Sequence, residues 1–96
     1  MNAQGVSPDA VPARALDARI RNIGDGLLVA GPAQVLELRD TATFVWSHID
    51  GRRTVAELGE ALAAEYDVDA STATADVAEL LGDLSSAGVV TLTDGG

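Results

Sequence analysis

Apolar and polar residues alternate along the first third of the chain, as they do in β-strands that bury one face. The alternation covers residues 14–21 and returns in residues 33–38, with a short apolar stretch at residues 27–30 between them. A D-G pair and Gly31-Pro32 mark turns on either side of this middle stretch. The pattern predicts an antiparallel meander of three strands. The side chains predicted to face inward from the first strand are Leu16, Ala18 and Ile20.

From residue 40 onward, apolar residues recur at every third or fourth position, which is the period of an amphipathic helix. This spacing surrounds Trp46 and predicts a first helix over residues 41–49, with Asp40 as its N-cap. Thr54 and Glu57 stand three residues apart in front of a second apolar stripe. Because a hydroxyl and a carboxylate at this spacing satisfy each other's backbone N–H groups, they predict a capping box at the start of a second helix.

A third helix begins at Asp69 or Ser71, since both residue types are good N-caps. Gly88 is placed to end this helix, because glycine adopts the left-handed conformation of a C-cap without strain. Residues 89–92 then alternate briefly, as in a short strand. The apolar stripe predicted for the third helix consists of Ala73, Val77, Leu80, Leu81 and Leu84.

This order of elements predicts an α+β fold in which an N-terminal three-stranded antiparallel sheet is followed by three helices. The arrangement is also winged helix-turn-helix-like, because three helices with a short β element describe that class. Residues 1–12 are rich in small and polar residues and are predicted to form a disordered tail. The folded domain is predicted to span residues 13–92, with residues 93–96 frayed.

Two surfaces in this layout are candidates for binding. The third strand, residues 33–38, lies at a sheet edge if the meander ends there, and an open edge accepts an added strand from an extended peptide. Glu37 could instead be a charge that prevents aggregation. On the third helix, Asp76, Glu79 and Asp83 share one face. They form either a solvated face or a stripe that attracts a basic side chain from a partner.

Composition excludes several classes of function. The chain has 96 residues, no cysteine, one histidine and a net charge of −9. Thiolate chemistry and cysteine-ligated metals are therefore excluded, and no cofactor or metal site is predicted. The six basic residues are scattered arginines, so binding to nucleic acid or to an anionic membrane is not expected. No targeting segment or apolar span is visible, which predicts a cytoplasmic protein.

Catalysis is not predicted either. His48 has no serine, cysteine or carboxylate at a spacing that would form a catalytic unit, so it is interpreted as a structural or surface residue. Trp46 could stack on a ligand, but its position within an apolar stripe favours a place in the core. We therefore expect no catalytic residues and interpret the chain as a binding module.

The sequence LELRDTATFVWSHIDGRRTVAEL (residues 36–58) resembles the PqqD family, also called RiPP recognition elements. Residues 63–90 are similar to the third-helix region of that family, so the resemblance covers nearly the whole domain. The family often has asparagine where this chain has Arg39, which moves the helix cap to Asp40. The positions that carry the resemblance are Leu38, Thr41, Ala42-Thr43, Val45-Trp46, Asp50-Gly51, Arg53-Thr54 and Leu58.

The resemblance implies a protein that binds the leader of a ribosomally made precursor peptide and presents it to a modifying enzyme. In such proteins the leader adds as a strand beside the third strand and packs against the third helix. The implied enzyme is a radical SAM enzyme, a lasso-peptide leader protease or a cyclase, and a homodimer is compatible with this role. The residues assigned to the peptide site are Gln34, Val35, Leu36, Glu37, Leu38, Asp76, Glu79, Leu80, Asp83, Leu84 and Ala87.

Within this site, Val35, Leu80 and Leu84 are expected to floor a groove that the three carboxylates edge, so a leader with apolar anchors and a basic residue would suit it. The alternative function is that of a winged-helix DNA-binding transcriptional regulator, which shares the helical layout. The net charge of −9, without a basic helix, argues against DNA.

Overall fold

The protein is represented by a computed structural model that describes residues 6–93. The strands of this region are β1 (Val11–Arg14), β2 (Arg19–Ile23), β3 (Gly26–Ala30), β4 (Val35–Leu38) and β5 (Val90–Thr93). Its helices are α1 (Thr41–His48), α2 (Val55–Tyr66) and α3 (Ala70–Ala87). The predicted α+β class, the three-stranded meander and the three helices are therefore confirmed.

The meander is an antiparallel sheet in the order β2-β3-β4, with β3 in the middle. Val29 pairs with Ile20 on one side and with Leu36 on the other, and Leu27 pairs with Leu38. Val29 and Leu38 are buried. Because directly opposed residues point to the same face, this face of the sheet is the one that packs on the helices.

The predicted first strand is wrong in its boundaries. A turn at residues 15–18 divides it into β1 and β2, and β1 belongs to a separate two-stranded sheet with β5. Leu16 lies in that turn with its side chain fully exposed, so it faces no core. The residues do alternate along the sequence, but they do not form one strand, because the chain passes from one sheet to the other at this turn.

The predicted tail is also corrected over residues 6–12. Ala10 and Pro12 are buried, and the backbone here is tied to the start of α2. The Val55 N–H donates to the Ala10 carbonyl at 2.9 Å, and the Ala56 N–H donates to the Pro8 carbonyl at 3.0 Å. These bonds satisfy two of the N–H groups that a helix leaves free in its first turn. Thr93, which was predicted to fray, is instead the last residue of β5 and pairs with Val11. Residues 1–5 and 94–96, the rest of the predicted tail and frayed end, lie outside the described residues.

Helix α1 buries Trp46 and Val45, so the core interpretation of Trp46 is confirmed. The helix ends at His48, one residue earlier than predicted. Asp40 occupies the N-cap position, but its side chain makes no capping hydrogen bond. Its backbone has φ of +51°, a region that residues with a Cβ rarely adopt, and this conformation turns the chain from β4 into α1.

The caps of α2 and α3 follow the sequence pattern. Thr54 and Glu57 form both bonds of the predicted capping box, at 3.1 and 2.9 Å. Asp69 is the N-cap of α3, because its carboxylate accepts bonds from Ser71 and Thr72, which decides between the two predicted starts. Gly88 ends α3 in the left-handed conformation, as expected.

The two long helices approach each other closely at Gly59. A Cβ atom built there would lie 2.7 Å from the Thr74 Cα atom, so only glycine lets α2 and α3 meet at this distance. The buried side chains of both helices complete the core with Trp46 and the inner face of the sheet. None of the helices within residues 6–93 is long and apolar enough to cross a membrane.

Candidate functional site

Strand β4 forms one edge of the three-stranded sheet, because β3 is its only strand partner within residues 6–93. Leu36 and Leu38 point to the core side, whereas Val35 and Glu37 are exposed on the outer face. Val35 keeps 55% of its surface exposed. The strand is therefore covered on one face and open on the other.

The backbone groups that face this edge follow from the register of the hairpin. The Gly31 N–H donates to the Gln34 carbonyl at 3.1 Å, which makes these two residues a hydrogen-bonded pair. Opposed residues in an antiparallel ladder alternate between bonded and non-bonded pairs, so Leu36 and Leu38 bond to β3. Val35 and Glu37 alternate with Leu36 and Leu38 along the strand, so their N–H and C=O groups point away from β3 toward the edge.

The edge lies beside α3. The Ala33 N–H donates to the Ala87 carbonyl at 3.3 Å, and Gly31 passes so close to Val89 that a Cβ atom there would lie 2.7 Å from its side chain. These contacts fix the start of β4 against the C-terminus of α3. Helix and strand remain in contact beyond this point. The C-terminal part of α3 therefore lies against the strand whose edge is open.

The structure separates the residues predicted on α3 into two groups. Leu80 is half-buried against the core, and the carboxylates of Asp76, Glu79 and Asp83 are exposed. Leu84 and Ala87 have no exposed surface at all. The expectation that Leu84 and Ala87 contact a peptide at the surface is therefore corrected, because a side chain with no exposed surface cannot line an open groove. They hold α3 in place from inside.

The residues predicted on β4 also differ in role. Gln34 is exposed in the turn that precedes the strand. Val35 points to the outer face, away from Leu80, so the predicted groove floor of Val35, Leu80 and Leu84 is not formed. Leu36 and Leu38 are the β4 residues on the core side, and Leu36, like Leu80, is half-buried against the core.

The charges on the two sides of this edge differ. On the strand side, Glu37 forms an ion pair with Arg39. Within residues 6–93 the other ion pair joins Arg53 to Asp50, and neither pair involves a carboxylate of α3. The strand side is therefore close to neutral, whereas the α3 side carries negative charge without a bonded counterion.

Asp50 lies in the turn between α1 and α2. Its carboxylate accepts hydrogen bonds from the backbone N–H groups of Arg53 and Arg52, both at 2.9 Å. These bonds stabilise the charged form and lower the pKa of the Asp50 carboxyl below its usual range. The arrangement is that of a turn-forming aspartate, and it explains why this part of the sequence reads D-G-R-R-T.

His48 and Trp46 have structural surroundings. The Nδ1 atom of His48 lies 2.8 Å from the Phe44 carbonyl oxygen, and its ring stacks on the Phe44 ring at 4.1 Å. Arg14 lies over the Trp46 ring at 4.9 Å and donates to the Trp46 carbonyl oxygen at 2.6 Å. The sequence did not signal this contact between β1 and α1.

Within the described part of the chain, no three acidic or histidine side chains come together as metal ligands.

Comparisons with known proteins agree on one family. The family model described as coenzyme PQQ synthesis protein D (PqqD) matches residues 26–90. A PqqA binding protein of Xanthomonas axonopodis pv. citri (strain 306) is 37% identical over 78 residues, covering 79% of this chain and 85% of the relative. A PqqA binding protein of Xanthomonas campestris pv. campestris (strain 8004) is 36% identical over 77 residues, covering 78% and 84%.

Solved structures show the same relationship. The solution structure of the PqqD part of Methylobacterium extorquens PqqCD, a stand-alone RiPP recognition element, has a TM-score of 0.77 at 27% identity. It covers 95% of this chain and 99% of that one. The crystal structure of PqqD from Xanthomonas campestris has a TM-score of 0.52 at 35% identity, over 83% and 91% of the two chains. The resemblance seen in the sequence is thus confirmed, and this chain belongs to the PqqD family.

Proposed function

We propose that this protein is a RiPP recognition element that binds the leader of a ribosomally made precursor peptide by strand addition at β4. The observation that carries the proposal is the open edge of β4, where the backbone groups of Val35 and Glu37 face outward beside α3. Membership of a family whose relatives are named PqqA binding proteins supports a peptide as the ligand.

Strand addition supplies affinity without a catalytic group. Val35 and Glu37 each offer one N–H and one C=O, and a hydrogen bond contributes roughly 0.5–1.5 kcal/mol net. The side chains of the leader that point inward would add apolar contact with Leu36 and Leu80. Backbone hydrogen bonds can form with a peptide of any sequence. The contacts of the leader's side chains therefore determine which leader is bound.

The protein would act as a carrier and not as an enzyme, and the bound leader would bring the precursor to a modifying enzyme. A radical SAM enzyme, a lasso-peptide leader protease and a cyclase remain the proposed partners, in the cytoplasm, where a ribosomal product and its enzyme meet. A homodimer remains compatible with the role, because binding through the β4 edge leaves the opposite edge strand β2 free.

The test is an NMR titration of the ¹⁵N-labelled protein with synthetic PqqA peptide from Xanthomonas campestris as the probe. We expect the amides of Val35 and Glu37 and those along α3 near Leu80 to shift. The amides of Ile20 and Asn22 on the opposite edge, β2, should not. Shifts confined to the Arg52-Arg53 turn would contradict strand addition at β4.

A matched pair of variants isolates the backbone contribution. Val35→Pro removes one edge-facing N–H at the first residue of a strand, where proline is tolerated. Val35→Ala trims the same exposed side chain and keeps the N–H. We expect Val35→Pro to weaken PqqA binding about 3- to 10-fold relative to Val35→Ala, the range of one hydrogen bond. Ile20→Pro, on the β2 edge, is the control for effects on the sheet itself. Equal affinity of the two Val35 variants would argue against a strand bonded at this edge.

A further inference from the structure

We infer that the leader recognised by this protein carries an apolar residue that points toward α3, with lysine or arginine two residues before it and two residues after it. The inference rests on the proposed function and names the chemistry of the ligand at that site. The carboxylates of α3 do not form the site by themselves, because the open edge of β4 holds the peptide. They decide which side chains the held peptide can present.

The distribution of charge along the chain supports this preference. Residues 1–53 contain all six arginines and six carboxylates, whereas residues 54–96 contain nine carboxylates and no basic residue. The whole net charge of −9 therefore belongs to the second half, which includes α2 and α3. On the β4 side, Glu37 is already paired with Arg39. A peptide between β4 and α3 would therefore meet the protein's uncompensated negative charge on the α3 side only.

The register of an added strand determines which peptide residues meet that side. Residues of the new strand opposite Val35 and Glu37 point outward with them, whereas the residue opposite Leu36 and those two positions away point inward, toward α3. The two inward positions on either side of the residue opposite Leu36 are four residues apart, which is about 13.6 Å. On α3, Asp76 and Asp83 are separated by about 10.5 Å along the axis. The two spans are close enough for flexible lysine or arginine side chains to reach both carboxylates.

The same geometry places the apolar anchor. Leu80 lies next to Glu79 on α3 and is half-buried on the core side, where Leu36 also lies. The inward residue opposite Leu36 would meet both leucines, and the basic residues would occupy the inward positions on either side of it. Outward residues would meet Val35 and the neutral Glu37–Arg39 pair, so no charge preference is expected there.

Synthetic peptides test the pattern directly, since a central leucine fixes which face points inward. The first peptide has lysine two residues before and after the leucine in a serine and threonine background. The second has the same composition with lysine one residue before and after, so that the charges point outward. The third has glutamate in place of lysine in the first pattern. Fluorescence anisotropy at low and high salt measures their dissociation constants.

We expect the inward-lysine peptide to bind about 3- to 10-fold more tightly than the outward-lysine peptide at low salt, because exposed ion pairs are individually weak. The glutamate peptide should bind most weakly. The preference should shrink at high salt, where exposed charges are screened. Equal binding of the two lysine peptides, or tighter binding of the glutamate peptide, would overturn the inference.

Protein variants identify the carboxylates responsible. The stripe variant Asp76→Asn/Glu79→Gln/Asp83→Asn should lose the preference for inward lysine. The control Glu60→Gln/Glu65→Gln/Asp67→Asn removes the same charge from the α2 region and should keep it. A loss of preference in both variants would reduce the effect to net charge and overturn the assignment to the stripe. If no peptide binds and PqqA binding is insensitive to Val35→Pro, the proposed function fails together with the inference. If Val35→Pro weakens binding but lysine placement has no effect, only the inference fails.

Discussion

Single residues show how a chain with 3% aromatic content stabilises its core. Trp46 is 2% exposed and is the largest buried side chain, so it fills a volume that leucine and valine would otherwise have to fill. Arg14 covers its ring and bonds to its carbonyl. Trp46 therefore joins α1 to the N-terminal strand β1 as well as to the helices.

Trp46→Ala should lower the free energy of unfolding by about 3–5 kcal/mol, because it removes buried apolar surface and leaves a cavity. This loss is comparable to the total stability of a small domain. Tyr66→Ala is the control, since Tyr66 is 42% exposed, and its effect should be much smaller. Urea denaturation followed by circular dichroism measures both. A Trp46→Ala variant that kept its melting temperature but lost peptide binding would make Trp46 a ligand contact.

Asp50 makes stability depend on pH. Its pKa is lowered in the folded protein by the N–H groups of Arg53 and Arg52, so the unfolded state holds the proton more tightly. This contribution is fully present above the unfolded pKa, whose ordinary value is 3.8, and is lost as the pH falls through the lower, folded pKa. Asp50→Asn should therefore reduce stability near neutral pH and have a smaller effect in acid. Denaturation midpoints of both proteins across an acidic pH series measure this, and a parallel pH dependence would contradict it.

At the scale of elements, the structure depends on how closely α2 and α3 approach. Glycine is unfavourable inside a helix, by about 1 kcal/mol relative to alanine. Gly59 is retained on α2 because Thr74 of α3 lies where a Cβ atom would go. Gly82 on α3 has no such neighbour, since the nearest atom to a methyl group added at this position would be a Val6 carbon at 3.8 Å.

Two identical substitutions should therefore have opposite effects. Gly59→Ala should destabilise by about 1–3 kcal/mol, the typical cost of overpacking. Gly82→Ala should stabilise by up to about 1 kcal/mol through helix propensity. Thermal denaturation of the two single variants is sufficient. Stabilisation by both substitutions would show that the helices are further apart than the structure indicates.

For the whole molecule, the segment before β2 is part of the fold. Ala10 and Pro12 are buried, β1 pairs with β5, and the first turn of α2 donates to Pro8 and Ala10. The two-stranded sheet thereby connects the beginning of the described chain to its end. Loss of the segment before β2 would expose β5 and leave N–H groups in the first turn of α2 without acceptors.

A chain that starts at Ala13 should lose at least about 2 kcal/mol of stability relative to the full chain, from two missing hydrogen bonds and the lost burial. Leu16→Ser is the control, because Leu16 is fully exposed and a surface substitution should change stability by less than about 0.5 kcal/mol. Chemical denaturation compares the three proteins. Equal stability of the shortened and full chains would restore the interpretation of residues 6–12 as a tail.

The charge of the whole molecule bears on the DNA-binding alternative. A protein that binds a duplex must neutralise phosphates with basic side chains, and this term supplies most non-specific affinity. All described α2 and α3 residues are neutral or acidic. We expect no gel shift with duplex DNA at moderate salt below about micromolar protein. A tighter complex would reopen the winged-helix regulator as the function.

The sequence by itself determined the elements whose signals are local. The capping box at Thr54, the αL glycine at Gly88 and the apolar spacing around Trp46 each depend on residues a few positions apart. Alternation in residues 33–38 predicted β4 and the division of its side chains between two faces. The family resemblance followed from the same local run, residues 36–58, together with the third-helix region.

Only the tertiary structure decided the features that join distant residues. The pairing of β1 with β5 joins residues 76 to 82 positions apart, and no local period reports such a contact. Leu16 alternates correctly but faces solvent, because the chain changes sheets there. Leu84 and Leu80 share one helical stripe, yet only packing decided that Leu84 is buried completely in the core while Leu80 stays half-buried. Burial depends on what the opposing elements cover, and the sequence of one helix does not contain that information.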